Sequence, residues 1–315
     1  MIKINKNELL RAEREDISFL FPPLKKRMNK GDAGRVLCIC GSYDPCGSAM
    51  CGAAYFSAAA AYKCGAGIVE LFTHRKNYEA LASLVPEAVF TLYDTEKENA
   101  EIICERLKAQ IKKADSIVLG CGLGKSELAR EMVKTVLEIS VCPLVIDADG
   151  INILAESEKL QALVQRRKAD TVLTPHPGEK ARLIGRPIPE ILANTVQSAR
   201  STALKLGVTV LLKDHNTVIT DGTYTFRNHT GNPGMATAGM GDILSGIIGA
   251  LLARSTVSEH ISSERFDLPF TLYRTAVAAY LHGLAGDLAC ERVGEYSLTA
   301  TELLNLLPEA IKNNR

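Results

Sequence analysis

The sequence contains no tryptophan, and aromatic residues make up only 5% of its 315 positions. So few aromatic side chains argue against a surface on which the bases of single-stranded nucleic acid stack. The formal net charge is only +1, so the sequence also lacks the excess of Lys and Arg that is typical of nucleic-acid-binding proteins. Neither feature favours a nucleic-acid partner.

Long apolar runs and paired cysteines are missing as well. No uncharged apolar run approaches the roughly 20 residues of a membrane-spanning helix, and the charged N-terminus lacks the apolar stretch of a signal peptide. The nine cysteines include no Cys-x-x-Cys pair, so their spacing favours neither a disulfide framework nor a zinc site. We therefore expect a soluble, cytoplasmic protein with reduced thiols and no membrane partner.

The apolar residues, 46% of the chain, fall into short runs typical of strands that alternate with helical stretches. Strands are predicted at 35–41, 67–72, 116–120, 144–147, 171–174 and 208–213, and a hairpin is predicted at 217–221 and 223–226. Helices are predicted at 48–64, 98–112, 127–139, 191–206, 240–254, 272–290 and 299–311.

This alternation favours an α/β fold with a mostly parallel central sheet and helices on both faces. The sequence shows no internal repeat and no boundary that resembles a linker. We therefore expect a single domain over residues 1–315, with a polar lead-in at 1–24 and an exposed polar loop at 255–268. Ligands are expected at the carboxyl ends of the parallel strands.

A glycine-rich segment, Gly231-Asn-Pro-Gly-Met-Ala-Thr-Ala-Gly-Met-Gly-Asp242, runs directly into an apolar stretch at 243–252 that predicts a buried helix. The amide N–H groups of such a turn, together with the helix dipole, form a binding site for an anion such as phosphate. Asp242 stands beside that anion and can take a proton from a hydroxyl that attacks phosphorus, whether or not it also caps the helix. The segment therefore predicts phosphoryl transfer.

A second glycine-rich turn, Gly120-Cys-Gly-Leu-Gly-Lys-Ser126, follows a predicted strand. It is not a Walker A loop, because Gly120 and Gly124 enclose three residues instead of four. Its third glycine also comes too early for a G-x-G-x-x-G dinucleotide motif. The turn is either a plain tight turn or a place where a ligand approaches the backbone closely.

Acidic residues follow another predicted strand in the segment Asp147-Ala-Asp-Gly-Ile-Asn152. Its two carboxylates and one amide can hold Mg²⁺ through water or form hydrogen bonds with a polar ligand. Equally, Asp149 can cap a helix at 151–155. The residues alone leave these alternatives open.

Two further polar segments are ambiguous in the same way. His176 lies between two prolines in a stiff turn, where it either contacts a ligand or is an exposed bystander. Lys213 ends a predicted strand, so that it either reaches phosphate together with Thr217 or belongs to a charged hairpin loop.

Taken together and in this order, the motifs resemble those of the ADP/ATP-dependent NAD(P)H-hydrate dehydratases of the ribokinase-like superfamily. The resemblance covers about residues 25–312, and the combination of motifs is specific although each piece is modest. The matching segments are Lys30-Gly-Asp-Ala-Gly-Arg-Val-Leu37, Gly41-Ser42, Cys64-Gly-Ala-Gly67, Gly122-Leu-Gly124, Asp147-Ala-Asp149, Thr174–Glu179, Gly231–Thr237, Gly239–Asp242 and Tyr280–Asp287.

The resemblance implies a ribokinase-like three-layer α/β/α fold and a repair reaction. As a carbon–oxygen lyase, the enzyme would dehydrate the S epimer of hydrated NADH or NADPH at the expense of ADP or ATP, with ADP favoured. The ring hydroxyl would first be phosphorylated, because phosphate leaves more readily than hydroxide. Mg²⁺ would bridge the phosphates, and a homo-oligomer is expected. The lead-in at 1–24 is too short for the epimerase domain of some relatives, so a dehydratase alone is expected.

The same resemblance implies a role for individual residues. Asp242 would be the base, and the amides of Gly239 and Gly241 would stabilise the transferring phosphoryl group. The hydrated nicotinamide would contact Ser48, Gly122, Gly124, His176 and Asp242. The nucleotide would contact Lys213, Asp214, His215, Asn216, Thr217 and Gly241. No residue is expected to bind a metal ion directly.

Three positions depart from the family's pattern. Ser48 replaces an alanine, Asp214 replaces a glycine, and Met240 replaces a small residue whose backbone faces the phosphate. Two other functions therefore stay open. One is a ribokinase-like kinase of a small vitamin-precursor alcohol, which would share the chemistry of Gly239–Asp242. The other is a non-catalytic nucleotide-binding regulatory module, which Met240 and Asp214 would suit.

Overall fold

The structure, a computed structural model, describes residues 8–44, 48–254 and 268–315. Within these residues the chain forms one ten-stranded sheet with apolar side chains packed on both faces. The predicted loop at 255–268 lies outside the described residues, except for Leu268. Among the helices that the structure describes, none combines the length and the apolar character needed to cross a lipid bilayer.

The strands are short, and those at the centre of the sheet are buried along their whole length. They are β1 (Leu9–Leu10), β2 (Arg35–Ile39), β3 (Ile68–His74), β4 (Val89–Tyr93), β5 (Ser116–Leu119), β6 (Leu144–Ile146), β7 (Thr171–Leu173), β8 (Thr209–Leu212), β9 (Val218–Thr220) and β10 (Thr225–Arg227).

The helices connect most of these strands and then follow them at the end of the chain. They are α1 (Arg14–Leu20), α2 (Cys51–Lys63), α3 (Tyr78–Leu84), α4 (Ala100–Ile111), α5 (Glu127–Ile139), α6 (Asp149–Ala155), α7 (Glu158–Arg166), α8 (Pro177–Ile184), α9 (Ile188–Ala193), α10 (Thr195–Leu206), α11 (Met240–Ala253), α12 (Phe270–Val293) and α13 (Ala300–Asn314).

The strand order in the sheet is β1-β10-β9-β8-β7-β6-β5-β2-β3-β4. All neighbours pair in parallel except β8 with β9 and β9 with β10, which are antiparallel. The predicted mostly parallel α/β sheet is therefore confirmed. Because β2 and β5 to β8 run in the same direction, the loops after their carboxyl ends lie along one edge of the sheet.

Alternate residues of each central strand face opposite sides of the sheet. In β2, Val36 and Cys38 pack in one apolar cluster with α2, α11 and α12, whereas Leu37 and Ile39 pack in the other with α4, α5 and α10. Helix α11 is buried almost all round, as its apolar sequence predicts. Its glycines let it approach its neighbours closely, since a Cβ atom on Gly246 would lie 2.2 Å from the carbonyl oxygen of Ser57 in α2.

One sequence-based prediction of local structure is wrong, and one alternative that the sequence left open is decided. The helix predicted at 191–206 is two helices, α9 and α10, which separate at Asn194 because its side chain accepts a hydrogen bond from the amide of Gln197 and so begins a new helix. Asp149 does not cap the helix predicted at 151–155. Helix α6 begins at Asp149 itself, with Ala148 at the cap position.

The polar lead-in also contains regular structure. Strand β1 pairs in parallel with β10, and Ile17 and Leu20 of α1 are buried in the apolar cluster. Its polar composition hides these few buried residues, so the sequence gives no clear periodic signal for them.

Candidate active site

The turn before α11 has a geometry that requires glycine. Gly239 has φ +92°, and a Cβ atom there would lie 2.8 Å from both Phe56 and Ala300. A side chain would therefore be strained by the backbone and blocked by its neighbours. The turn places the first amides of α11, which have no acceptor within the helix, at the edge of the sheet where ligands are expected.

Asp242 lies in the first turn of α11 in a partly buried position. Burial, followed by the nearby negative charge of Asp147, raises the pKa of Asp242 to about 6. The side chain of Cys121 forms a hydrogen bond with Asp242 that opposes this rise, as does the positive charge of Lys213. A carboxyl group with such a pKa is still ionised at neutral pH and binds a proton more strongly than an ordinary aspartate does.

Lys213 follows β8 and is held by carboxylates. Its Nζ lies 2.7 Å from Oδ1 of Asp147 and 4.0 Å from Oε2 of Glu179. Burial alone would lower the pKa of Lys213, but the two carboxylates outweigh it and the pKa is raised. Lys213 is therefore a fixed positive charge. A Cβ atom on Gly241 would lie 3.3 Å from its Nζ, so this charge stands directly against the turn.

His176 caps α8 and does not simply project into solvent. Its Nδ1 accepts hydrogen bonds from the amides of Gly178 and Glu179, and its own amide donates to the Glu179 carboxylate at 2.9 Å. Burial and the charges of Lys213 and Arg182 lower the pKa of His176. Its side chain is still 50% exposed, so the neutral ring is fixed in direction and accessible to a ligand.

The glycine-rich turn after β5 lies beside the loop that carries Ser48. The amide of Ser42 donates to the carbonyl of Gly122 at 2.6 Å, and a Cβ atom on Gly122 would lie 2.8 Å from Met50. The amide of Gly124 donates to Oδ2 of Asp149 at 2.8 Å, which is the contact that Asp149 makes in place of capping a helix. Ser48 itself is exposed. Residues 45–47 of this loop lie outside the described part of the chain.

The segment from Asp214 to Thr217 is a tight loop between β8 and β9. Oδ1 of Asp214 accepts from the amide of His215 at 2.8 Å, and the hydroxyl of Thr217 donates to the carbonyl of Asp214 at 2.9 Å. The amide of Lys213 donates to the carbonyl of Pro175 at 2.8 Å, which ties this loop to the His176 turn. The loop thus borders the cluster around Lys213, with Asn216 at its tip.

The position of the Met240 side chain decides whether it blocks the amides of the turn. Its side chain is only 5% exposed and belongs to the apolar cluster shared with α2 and α12. Since the side chain packs into the protein, it leaves the amides of the turn clear. The departure from a small residue at this position is therefore compatible with phosphate binding.

The first half of the glycine-rich segment has a different role from the second. Asp287 of α12 accepts hydrogen bonds from the amide of Gly231 and the side chain of Asn232, both at 2.9 Å. Met235 packs so closely on α12 that a Cβ atom on Gly286 would lie 2.3 Å from its sulfur atom. These contacts anchor the segment to α12, and only its end at Gly239–Asp242 reaches the cluster of charges.

Three members of this cluster received no individual role in the site from the resemblance, although Asp147 was an open candidate for a ligand contact. Asp147 follows β6, Glu179 lies in the first turn of α8, and Ser245 lies one turn after Asp242. The position of Asp147 at a strand end and the helical spacing of Ser245 are signals that point to them. Their partners lie on other loops and cannot be read from the sequence.

No group of three or more His, Cys, Asp or Glu side chains in the described residues is arranged to hold a metal ion. Both oxygens of Asp147 already have protein partners, Lys213 on Oδ1 and Ser245 on Oδ2.

Residues 36–309 match the sequence profile of a family described as NAD(P)H-hydrate dehydratase. The chain belongs to this family. It is 32% identical to the ADP-dependent (S)-NAD(P)H-hydrate dehydratase of Listeria monocytogenes, over 92% of both chains. It is also 33% identical to the bifunctional NAD(P)H-hydrate repair enzyme of Thermofilum pendens, with 92% of this chain covering 52% of that protein. The chain thus spans about half the length of the bifunctional relatives that it matches.

Solved structures of other proteins share the fold. The ADP/ATP-dependent NAD(P)H-hydrate dehydratase of Bacillus subtilis, co-crystallised with ATP and Mg²⁺, superposes with a TM-score of 0.77 at 26% identity, over 98% of this chain and 100% of that chain. A ribokinase-like superfamily protein of Enterococcus faecalis has a TM-score of 0.79 at 28% identity, over 100% of this chain and 98% of that chain. The ribokinase-like fold is therefore confirmed.

Proposed function

We propose that this member of the NAD(P)H-hydrate dehydratase family dehydrates the S epimer of hydrated NADH or NADPH, with ADP or ATP as phosphoryl donor. The observation that carries the proposal is the position of Asp242. Its carboxylate, with a pKa of about 6, lies in the first turn of α11 and beside the fixed positive charge of Lys213. A base and an anion site thus meet at one helix start.

In the proposed reaction, Asp242 takes the proton of the ring hydroxyl while the hydroxyl oxygen attacks the terminal phosphorus of the nucleotide. The bond from that phosphorus to the bridging oxygen breaks, and the remaining nucleotide leaves. The amides at Gly239–Asp242 stabilise the charge on the transferring phosphoryl group. The carbon–oxygen bond of the ring then breaks with help from the ring nitrogen lone pair, and loss of a proton from the neighbouring carbon restores the double bond.

The remaining residues are proposed as binding contacts. The hydrated nicotinamide contacts Ser48, Gly122, Gly124 and His176, and the nucleotide contacts the loop from Lys213 through Asp214, His215 and Asn216 to Thr217, together with Gly241. Mg²⁺ accompanies the nucleotide, where it neutralises phosphate charge. A single domain, a homo-oligomer, a cytoplasmic location and the absence of nucleic-acid and membrane partners belong to the same proposal. The free thiols of the eight described cysteines suit a reducing compartment.

The test is recovery of reduced nicotinamide absorbance when the purified chain is incubated with hydrated NADH, Mg²⁺ and either ADP or ATP. The proposal expects recovery with at least one nucleotide, accompanied by one inorganic phosphate for each NADH formed. Accumulation of a phosphorylated alcohol would instead indicate a kinase. Nucleotide binding without any turnover would indicate a regulatory module. Comparison of the two donors decides between ADP and ATP.

A further inference from the structure

Asp147 is only 1% exposed, and both of its carboxylate oxygens are engaged. Oδ1 accepts from Nζ of Lys213 at 2.7 Å and from the amide of Ala148 at 2.8 Å, and Oδ2 accepts from the hydroxyl of Ser245 at 2.8 Å. These partners come from the end of β8, from the residue after Asp147 and from α11. The carboxylate therefore joins α11 to the loop that carries Lys213.

The backbone around Asp147 is strained. Ala148 has φ +48°, and it is the one residue other than glycine with a positive φ in the described part of the chain. Gly120 approaches so closely that a Cβ atom there would lie 2.2 Å from the carbonyl oxygen of Asp147. Such a conformation is costly and persists only where the surrounding structure fixes it, which is common at functional sites. The position of the Asp147 carboxylate is thus set by the fold.

Asp147 and Lys213 both touch the anion-binding turn. A Cβ atom on Gly241 would lie 3.3 Å from Nζ of Lys213 and 3.5 Å from Oδ2 of Asp147. The two opposite charges therefore stand side by side, next to the residue that precedes Asp242. Each acts on Asp242, and their actions are opposite in sign.

We propose that Asp147 is a positioning residue for the reaction proposed above, holding the Lys213 ammonium group against Gly241 and keeping a fixed negative charge beside Asp242. The inference rests on the proposed function for its role in turnover, but the geometry predicts an electrostatic effect that can be measured without turnover. Asp147 does not need to touch substrate for this role.

The titratable groups around Asp242 come from several elements. Those whose charges or hydrogen bonds act on it lie at the ends of β2, β5, β6 and β8 and in α6. These groups are Cys40, Cys121, Asp147, Lys213 and Asp149. On α12, His282 forms a hydrogen bond with the backbone of Met240. Burial lowers the pKa of His282 to about 4, so this ring is neutral at the pH of the experiment, and the pKa values of both thiols are raised well above the ordinary value. The charged neighbours that change the pKa of Asp242 are therefore Asp147, Asp149 and Lys213.

If one charge of the Asp147–Lys213 pair is removed, Asp242 is subject to the remaining charge without compensation. In Asp147→Asn the positive charge of Lys213 is no longer offset, so the titration midpoint of Asp242 is expected to fall by about one pH unit. In Lys213→Met the negative charge of Asp147 is no longer offset, so the midpoint is expected to rise by a similar amount. In the double variant the two effects cancel, and the midpoint is expected to stay near that of the wild type.

The experiment is a pH titration of the chain labelled with ¹³C at the aspartate side-chain carboxyl carbon, followed by NMR, with Asp242→Asn identifying the resonance. Glu70→Gln is the matched control, because Glu70 is also a buried carboxylate with a cation, Arg35, on one oxygen and a hydroxyl, Thr91, on the other. It should lower stability and leave the Asp242 midpoint unchanged. A midpoint that stays constant or rises in Asp147→Asn would overturn the proposal.

The double variant keeps the test decisive if a single variant does not fold, because it leaves neither charge of the pair buried alone. A double-variant midpoint that moves as far as expected for one charge alone would also overturn the proposal. Turnover adds a separate readout. In Asp147→Asn the acid limb of the kcat profile should shift to lower pH, whereas a merely structural loss lowers kcat and leaves the limb in place. If the wild type fails to dehydrate hydrated NADH, the proposed function fails and the NMR result still decides the inference.

Discussion

Lys213 and Asp147, 66 residues apart in the chain, form an ion pair with Nζ 2.7 Å from Oδ1. The pair lies against Gly241, where α11 begins, and joins the carboxyl ends of β6 and β8. A lysine expected to reach phosphate is thus already held by a carboxylate. A phosphate group bound at this turn, as proposed, would meet a lysine whose position and charge are fixed in advance, so that little reorganisation would accompany binding.

Asp242→Asn should greatly reduce turnover and stabilise the fold. We expect kcat to fall by about 10²–10⁴-fold, the usual contribution of a general base, with nucleotide affinity nearly unchanged. The folded-state pKa of about 6 lies above the ordinary value of 3.8, so the ionised carboxylate destabilises the fold at neutral pH, and this effect disappears as the pH falls below about 4. Thermal unfolding at pH 7.5 should therefore occur at a higher temperature in the variant. Normal turnover in Asp242→Asn would show that Asp242 is not the base.

The pH dependence of kcat should report the same group. Because Asp242 acts as a base only when ionised, and burial with Asp147 raises its pKa to about 6, kcat should decline below about pH 6, roughly tenfold for each further unit. Steady-state rates with saturating substrates between pH 4.5 and 8.5, in buffers of constant ionic strength, would measure this limb. A rate that stays constant down to pH 4.5 would be incompatible with the assignment.

Gly239→Ala should impair both folding and turnover. The new methyl group would lie 2.8 Å from both Phe56 and Ala300, and the alanine would have to adopt φ +92°, so the turn must move. We expect a loss of about 1–3 kcal/mol in unfolding free energy and at least a tenfold loss in kcat. Gly207→Ala is the matched control, since Gly207 also has a positive φ, of 66°, but faces open space at the end of α10. It should cost stability and leave kcat unchanged, and equal losses of kcat in both variants would count against a specific role for the turn.

Lys180→Met should stabilise the protein. The Lys180 side chain is 0% exposed, its described polar partner is the hydroxyl of Thr202, and burial lowers its pKa to about 7. The unfolded chain binds this proton up to about pH 10.4, so unfolding is favoured below that pH and the cost is full below about 7. At pH 7 the variant should gain about 1–3 kcal/mol in denaturant unfolding, and the gain should shrink as the pH rises towards 10. The exposed Lys205→Met is the control and should change little. A loss of stability in Lys180→Met at pH 7 would show that the amine is better satisfied than its contacts indicate.

The sequence predicted most of the fold because its signals are local. Central strands such as β5 are mostly apolar runs, and α11 is an apolar helix directly preceded by a glycine-rich turn. The one error is local, because Asn194 caps α10 and so divides a helical pattern. The alternative that the sequence leaves open at Asp149 is decided by a tertiary contact, since its side chain turns to the amide of Gly124 on another loop.

The site could be predicted in part for the same reason. Glycine turns, Asp242 and His176 carry signals in their own neighbourhood, and the structure places them near one edge of the sheet. Their proposed contacts with ligand remain predictions. The pairing of Lys213 with Asp147 depends on which strand ends become neighbours, and the sequence does not contain that information in any local pattern.

The central claim is that the ring hydroxyl of the substrate is phosphorylated before it leaves, with Asp242 as the base. It is tested most directly with hydrated NADH that carries ¹⁸O in the ring hydroxyl, incubated with the enzyme, Mg²⁺ and unlabelled nucleotide. The account predicts that each molecule of inorganic phosphate released contains one ¹⁸O atom, because the oxygen that attacks phosphorus departs with it. Unlabelled phosphate together with ¹⁸O-labelled water would contradict it.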